Sequence, residues 1–265
     1  MPNEQFDLFA GAGIPRDAPT RLPSRAPAVA PAGLDDAALL AAIPGSGVAD
    51  GPALATEAGR RRLPAAIPVL EDYCRRFAGF GLQLVLPEQA AALAALAAIG
   101  GPDAARSVAR IIQRGWAQGP NLAQAAAAAA RLGALLPPET VLALLRHAEP
   151  GVRADACRLA RSGGQVVTTL MDLLTDLHRD VAIEAACALG RMGRPEARPL
   201  LRQVLDHGPT TPVIEAIPPI ADEDCIDRLA RIARGTAPEV AAAAREALDA
   251  IDHPRAAQHI RRLQG

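Results

Sequence analysis

The feature that most constrains the fold is a helix-opening motif that recurs about every 30 residues along most of the chain. In each copy a Pro, or an equivalent residue, stands two positions before a residue that is usually apolar, and an Ala- and Leu-rich stretch follows. The third residue of each motif is, in chain order, Leu54, Gln89, Leu122, Val152, Val181, Val213 and Val240. Successive third residues are 35, 33, 30, 29, 32 and 27 positions apart. Pro is favoured in the first turn of a helix because its missing N–H has no partner there. A regular period of this length predicts a repeat architecture.

A second helix is predicted inside each repeat, after a stop marked by Gly. The stops include Gly100, Gly133 and Gly193, and Gly is common just past the end of a helix. Some of the second helices open with a Pro, at Pro102, Pro138, Pro195 and Pro254. Apolar residues inside the helices recur with helical spacing, and no stretch alternates with a period of two. The sequence therefore predicts an all-α fold without a sheet.

Residues 1–33 have a different composition from the rest. Five prolines fall at every fourth position, at Pro15, Pro19, Pro23, Pro27 and Pro31. Each Pro removes a backbone donor and restricts the residue before it, so no regular helix survives this spacing. We therefore predict a disordered, Pro-rich arm over 1–33 and a helical domain over 34–265.

Three segments carry a resemblance to a known family. The stretch from Val181 to Leu201 looks like a HEAT-like repeat of the bilin-lyase type, and the stretches that begin at Pro150 and Pro238 resemble the same unit. The resemblance covers roughly residues 50–265 and is strongest between 150 and 207. It implies a right-handed α-solenoid of about seven HEAT-like helix pairs. This agrees with the physical expectation that Ala-rich pairs must stack to bury a core.

Composition and charge exclude several classes of protein. No stretch approaches 18 uninterrupted apolar residues, so no membrane span is expected, and the first ten residues lack the basic start of a signal peptide. The four cysteines are scattered without a CxxC, which predicts no disulfide framework and no metal or other cofactor. The 28 basic residues are all Arg, as in a GC-rich bacterial genome, and the net charge of −1 is low for a nucleic-acid binder. We expect a cytoplasmic bacterial protein.

The sharpest candidate site is the pentapeptide Gln5-Phe6-Asp7-Leu8-Phe9. It resembles the motif with which bacterial polymerases and repair proteins bind the β sliding clamp, although Phe6 replaces the more usual Leu. The resemblance implies that Gln5 forms a hydrogen bond beside the clamp's cleft, while Leu8 and Phe9 fill its apolar pocket. Exposed apolar side chains in a short Pro-flanked segment also suggest a receiving partner. The alternative is that the segment caps one end of the solenoid.

A secondary contact is predicted at an aromatic and basic cluster, which comprises Tyr73, Arg75, Arg76, Phe77 and Phe80. The arginines could meet phosphates and a ring could stack on a base or a partner side chain. The alternative is an irregular connection between the first two repeats, in which the rings fill a gap. The longest repeat spacing, 35 residues, falls at this point and favours that alternative.

Two charge clusters complete the candidates. Arg106, Arg110 and Arg114 lie four residues apart on one predicted helix and form a basic stripe suited to phosphate contacts, or else a solvated helix face. The acidic residues 222–224 stand at a predicted helix start, where they are expected to cap the helix rather than bind a metal.

The function predicted from these features is a non-catalytic interaction scaffold. Its arm would bind the sliding clamp, its solenoid would hold another protein or DNA, and it would act in DNA replication or repair. We predict no enzyme activity and no small-molecule substrate. The alternatives are a general HEAT-type adaptor without a DNA link, a HEAT-like DNA glycosylase or other DNA-binding repair protein, and a relative of the bilin lyases.

Overall fold

The computed structural model describes residues 30–80, 82–235 and 237–264, and within these ranges the regular structure is entirely helical. Short 3-10 turns occur at Pro31–Gly33, Pro64–Ala66, Pro195–Ala197 and Pro218–Ile220. The α-helices are α1 (Asp36–Ala42), α2 (Gly51–Arg60), α3 (Ile67–Arg76), α4 (Pro87–Ile99), α5 (Gly101–Gln113), α6 (Pro120–Leu132), α7 (Pro138–Leu145), α8 (Pro150–Leu159), α9 (Gly164–Leu173), α10 (Arg179–Arg191), α11 (Arg198–His207), α12 (Thr211–Glu215), α13 (Glu223–Ile232), α14 (Pro238–Asp249) and α15 (Pro254–Gln264).

Pro and Gly mark the helix ends as the sequence predicts. Most of the helices carry Pro in the first turn, among them α4, α6 and α14. Gly133 closes α6 in the left-handed region with φ of 61°, and its amide donates to the carbonyls of Ala129 and Ala130. Gly193 adopts φ of 73° just after α10. Because L side chains rarely adopt these angles, Gly is the residue that ends a helix here with the least strain.

The helices form two layers. The A helices, α2, α4, α6, α8, α10, α12 and α14, contact one another in that order without a break. The B helices are α3, α5, α7, α9, α11, α13 and α15. Most B helices also pack against the next A helix, as α3 does against α4 and α5 against α6. All seven helix starts predicted from the repeat are starts of A helices. The prediction of an α-solenoid of about seven HEAT-like pairs is therefore confirmed for the described residues.

The two layers meet along two edges of the solenoid. At the A–B edge each A helix ends and the B helix of the same pair begins, as at residues 99–101 and 132–138. At the B–A edge each B helix ends and the next A helix begins, as at residues 76–87 and 113–120. Within the described ranges, no helix is long and apolar enough to cross a membrane.

The core is made largely of Ala, Leu, Ile and Val, and small residues set the spacing of the A layer. A Cβ atom built on Gly59 of α2 would lie 2.6 Å from the Cα of Ala95 on α4. A Cβ on Gly190 of α10 would lie 2.5 Å from the backbone oxygen of Ala216. Since real Cβ contacts are longer than this, both glycines are needed for the observed approach of neighbouring helices.

Ion pairs join neighbouring B helices, and Asp222 lies at the centre of the pairs between α11 and α13. Its Oδ1 accepts a hydrogen bond of 3.0 Å from the Cys225 amide and so caps α13. Its Oδ2 accepts from Arg198 at 3.0 Å and also from Arg202. Burial alone would raise the pKa of Asp222, but the Cys225 hydrogen bonds and the Arg198 guanidinium overcome that effect and hold the pKa at about 2.

Asp222 should therefore make stability depend on pH in the acid range. An ordinary unfolded Asp has a pKa of about 3.9, so its lowered folded pKa stabilises the protein above pH 4. That contribution is lost as the pH falls towards 2. We expect urea unfolding to show a stability gap between the wild type and Asp222→Asn that is largest near neutral pH and closes with acidification. Asn keeps the cap, so the substitution isolates the charge.

Asp252, which follows α14 and is exposed, has no ion pair with a described residue and provides the control. Asp252→Asn makes the same chemical change at an exposed site without an ion pair, so it should change the stability little at neutral pH. A gap for Asp222→Asn that stays constant from neutral pH to pH 2 would contradict the assigned role of its charge.

Candidate interaction surface

The predicted clamp-binding pentapeptide, from Gln5 to Phe9, lies outside the described residues. Its residues are therefore not placed relative to the solenoid. The described residues begin at Ala30, immediately before the 3-10 turn that leads to α1.

A loop at the B–A edge carries most of the exposed large apolar side chains of the described residues. Of the seven large apolar side chains that are exposed in the described residues, four lie between α3 and α4. Phe80 is 74% exposed, Leu82 65% and Leu84 72%, with Val85 beside them. Single exposed apolar residues are common on protein surfaces, but a cluster of them marks an interaction site. We call these four residues the apolar loop.

Two buried amides hold this part of the B–A edge in place. The Asn121 side chain, at the start of α6, accepts a hydrogen bond from the Leu86 amide at 3.2 Å and donates to the Leu84 carbonyl at 3.4 Å. Gln89 of α4 reaches in the other direction and donates to the carbonyls of Cys74 at 3.0 Å and Trp116 at 2.8 Å. Asn121 and Gln89 are almost fully buried, so these bonds are shielded from water. The end of the apolar loop is therefore anchored to the core while its side chains face outward.

The predicted aromatic and basic cluster divides into a buried and an exposed part. Tyr73 is buried and meets Phe77 edge to face, with ring centroids 5.2 Å apart. The Arg76 guanidinium lies 5.1 Å from the Phe77 ring centroid and donates to the carbonyls of Pro44 at 2.6 Å and Ser46 at 2.9 Å. These three side chains tie α3 to the loop between α1 and α2. Arg75 pairs with Asp72, and Phe80 belongs to the apolar loop.

The predicted basic stripe on α5 is exposed but largely paired. Arg106 pairs with Asp103 on the same helix. Arg110 forms a two-bonded pair with Glu71 of α3, with a distance of 2.8 Å between Nε and Oε1. Arg114 has no ion pair with a described residue. Because carboxylates accompany two of the three guanidinium groups, the stripe carries less free positive charge than its sequence suggests.

The cysteines offer no reactive thiol. All four are buried and reduced, and burial raises the pKa of Cys74, Cys157 and Cys187 to about 12. A thiol with such a pKa is protonated at neutral pH and is a poor nucleophile. Within the described part of the chain, His, Cys, Asp and Glu residues form no group of three that could hold a metal ion.

The apolar loop is the feature that sequence reasoning mostly missed. Of the loop's four residues, only Phe80 was part of the predicted aromatic and basic cluster. The available signal was the longest repeat spacing, which places additional residues between α3 and α4. The sequence alone does not distinguish whether the apolar residues before Pro87 are buried or exposed.

Comparison with solved structures bears on the predicted lack of enzyme activity. The human deoxyhypusine hydroxylase structure, in complex with glycerol, aligns over 82% of this chain and 84% of its own, with 20% identity and a TM-score of 0.38. The sequence predicts that the chain is not an enzyme, and this comparison contradicts that prediction, since the aligned chain is a hydroxylase. Because a fold does not by itself determine function, a helical-repeat architecture is no ground for excluding catalysis.

The remaining comparisons concern the family. No curated protein matches the chain. The family model for HEAT repeats matches residues 137–217, which include the helices from α7 to α12. Over these residues the chain is similar to HEAT-repeat proteins, and the described part as a whole folds as a HEAT-like α-solenoid.

Proposed function

We propose that the chain is a macromolecule-binding solenoid that links a protein partner to a bacterial sliding clamp. The partner binds at the apolar loop, and the clamp binds Gln5, Leu8 and Phe9. The process served is DNA replication or repair. The observation that carries the solenoid part of this proposal is the exposure of Phe80, Leu82 and Leu84 on an anchored loop.

The apolar loop has the properties of a binding site rather than of a misplaced core segment. The end of the loop is held at Leu84 and Leu86 by the buried Asn121 side chain. Holding this end lowers part of the entropy cost of binding, because fewer residues have to be ordered by the partner. Large apolar side chains on such a loop gain the most from burial against a complementary protein surface.

The clamp part of the proposal is supported by the resemblance of the pentapeptide to the clamp-binding motif. Two of the chain's four Phe residues lie in this pentapeptide. A short motif joined to a binding domain by a Pro-rich segment would raise the local concentration of the domain's partner at the clamp.

The deciding experiment is calorimetric titration of the full-length protein into the sliding clamp of the same organism. We expect micromolar binding, weakened by at least about tenfold in the Leu8→Ala/Phe9→Ala variant because the two side chains that fill the clamp's pocket are removed. The matched control is Phe80→Ser/Leu82→Ser, which removes two exposed apolar side chains elsewhere and should bind the clamp like the wild type. If the intact protein does not bind the clamp, the clamp link is wrong.

The loop is tested separately with the same two double variants in affinity capture. Partners that depend on the loop should be lost with Phe80→Ser/Leu82→Ser and retained with Leu8→Ala/Phe9→Ala. A set of captured proteins that is identical for the wild type and the loop variant would contradict a binding role for the loop.

A further inference from the structure

A groove opens at the A–B edge and extends along α5 as far as Gln113. It has a volume of about 880 Å³ and lies between α5 and the turn that joins α6 to α7. The B layer leaves room for it, since α5 and α7 make at most marginal contact. Ala105, Ala109 and Leu132 contribute apolar surface to the groove, and Leu135 is 74% exposed in the turn beside it.

The charged side chains that line this groove are all basic. They are Arg106, Arg110 and Arg131, and no Asp or Glu lines the groove. The partners of Arg106 and Arg110 lie outside the lining, and both arginines are more than half exposed. Both side chains of the Arg106–Asp103 pair are exposed, and such pairs contribute about 0–1 kcal/mol, so an incoming carboxylate can compete for Arg106. Arg110 stays paired, because Glu71 is only 14% exposed and holds it through two hydrogen bonds. Arg131 has no ion pair with a described residue and is available directly.

Free arginines continue from the groove along the A–B edge. Arg131, Arg161 and Arg191 follow at intervals of 30 residues, at or just after the ends of α6, α8 and α10. All three are exposed, and none forms an ion pair with a described residue. Neighbouring packed helices lie about 8–10 Å apart, so three consecutive A helices present a row of positive charges. The row extends the basic character of the groove towards the C-terminal repeats.

We propose that this groove binds an acidic amphipathic helix of a partner protein. An α-helix is about 10–12 Å wide with its side chains, and it binds grooves by placing one apolar face on the floor. Leu or similar residues of the partner would cover Ala105, Ala109 and Leu132. Its flanking carboxylates would meet Arg106 and Arg131. A partner of opposite charge is favoured because no Asp or Glu lines the groove, and because Arg131, with Arg161 and Arg191 beyond it, has no ion pair with a described residue.

The apolar floor favours a protein over DNA as the occupant. Phosphate contacts require charge but no apolar surface, and protein–DNA interfaces are more polar than protein–protein interfaces. The site is also distinct from the apolar loop, because the groove involves the end of α4 while the loop precedes its beginning. The proposal therefore stands independently of the clamp and of the loop partner.

The experiment titrates the full-length protein with two synthetic helical peptides of about 16 residues, a length that supports a helix. Both carry Leu on one face. One has Glu at the flanking positions, and its twin has Lys at the same positions. We expect the Glu peptide to bind at least about tenfold more tightly than the Lys twin. In the Arg106→Glu/Arg131→Glu variant the preference should reverse, since the charge of the groove is inverted.

The control variant is Arg146→Glu/Arg179→Glu. Both of these arginines are exposed, have no ion pair with a described residue and lie at the B–A edge, and neither lines the groove. This variant has the same change in net charge, so it should keep the preference for the Glu peptide. Circular dichroism melting of both variants establishes that they fold, so that lost binding is not lost structure.

Several outcomes would overturn the proposal. Equal binding of the two peptides, or no binding of either, would remove the acidic helix as occupant. Tighter binding of a DNA duplex, lost in the groove variant and retained in the control, would assign the groove to nucleic acid. Tighter binding of a peptide with the sequence of residues 1–12, which carries Glu4 and Asp7 among apolar residues, would assign it to the chain's own segment.

Discussion

Replacing Gly190 with Ala is expected to lower the free energy of unfolding by about 2 kcal/mol. The added Cβ would lie 2.5 Å from the Ala216 carbonyl oxygen and 3.2 Å from both the Ala216 Cβ and the Leu201 Cδ1. The nearest atom belongs to the backbone just after α12, so it cannot move aside like the end of a flexible side chain. Ala is favoured over Gly inside a helix by about 1 kcal/mol, and the steric cost must exceed this gain.

The measurement is urea unfolding followed by circular dichroism, with Gly151→Ala as the matched control. Gly151 lies in the first turn of α8, and no atom lies within 4 Å of a Cβ built there. The control should be as stable as the wild type or slightly more stable. A Gly190→Ala variant that matches its control would show that α10 and α12 can separate without loss, and that the close approach is not required.

Replacing Arg153 with Met is expected to destabilise the protein by about 3 kcal/mol, as when one partner of a buried ion pair is removed. The Arg153 and Asp176 side chains are only 14% and 8% exposed. Two hydrogen bonds of 2.9 Å join the guanidinium to the Asp176 carboxylate, and Nη1 also donates to the carbonyls of His147 and Ala148. The Arg153 guanidinium is also the main cause of the lowered pKa of Asp176. Met fills a similar volume but removes the guanidinium from that carboxylate and from the two carbonyls, so that Asp176 keeps only the His178 amide as donor, at 2.8 Å.

The exposed pair of Arg75 and Asp72 provides the control, because Arg75→Met makes the same chemical change where both side chains are well exposed. We expect that variant to lose less than about 1 kcal/mol. The double variant Arg153→Met/Asp176→Leu should recover part of the stability lost in Arg153→Met, because it also removes the buried Asp176 carboxylate that lacks its arginine partner. Equal losses for Arg153→Met and Arg75→Met in urea unfolding would show that burial adds nothing to the Arg153 pair.

The positions of the A helices could be predicted because their signals are local. A Pro in the first turn, an Ala-rich run and a closing Gly all act within one helix, as in α6. Where local signals conflict, prediction was less complete. The helix α12 has only five residues and is followed by a 3-10 turn that Pro218 and Pro219 open. Asp36–Ala42 forms a helix that the repeat pattern does not include.

The candidate surfaces were harder to predict because they depend on contacts between distant residues. The stripe on α5 looks free in the sequence, yet Arg110 is paired with Glu71, which is 39 residues away. The backbone at Leu84 and Leu86 is held by Asn121, a residue from the next repeat. The groove is lined by α5 and by the turn after α6, which belong to different pairs. Periodicity carries no information about any of these three arrangements.

The interruption of the B layer has a mechanical consequence. The A helices contact one another continuously from α2 to α14, whereas the B helices form three blocks, with at most marginal contact between α5 and α7 and between α9 and α11. The A layer is thus continuous, while the B layer on one side of it is divided into three separate groups of helices. Bending of the solenoid disrupts the fewest packing contacts where neighbouring blocks of B helices do not touch. Such bending widens or narrows the gaps between the blocks. A helix bound beside α5, as proposed above, would occupy space next to one of these gaps and would oppose bending that narrows it.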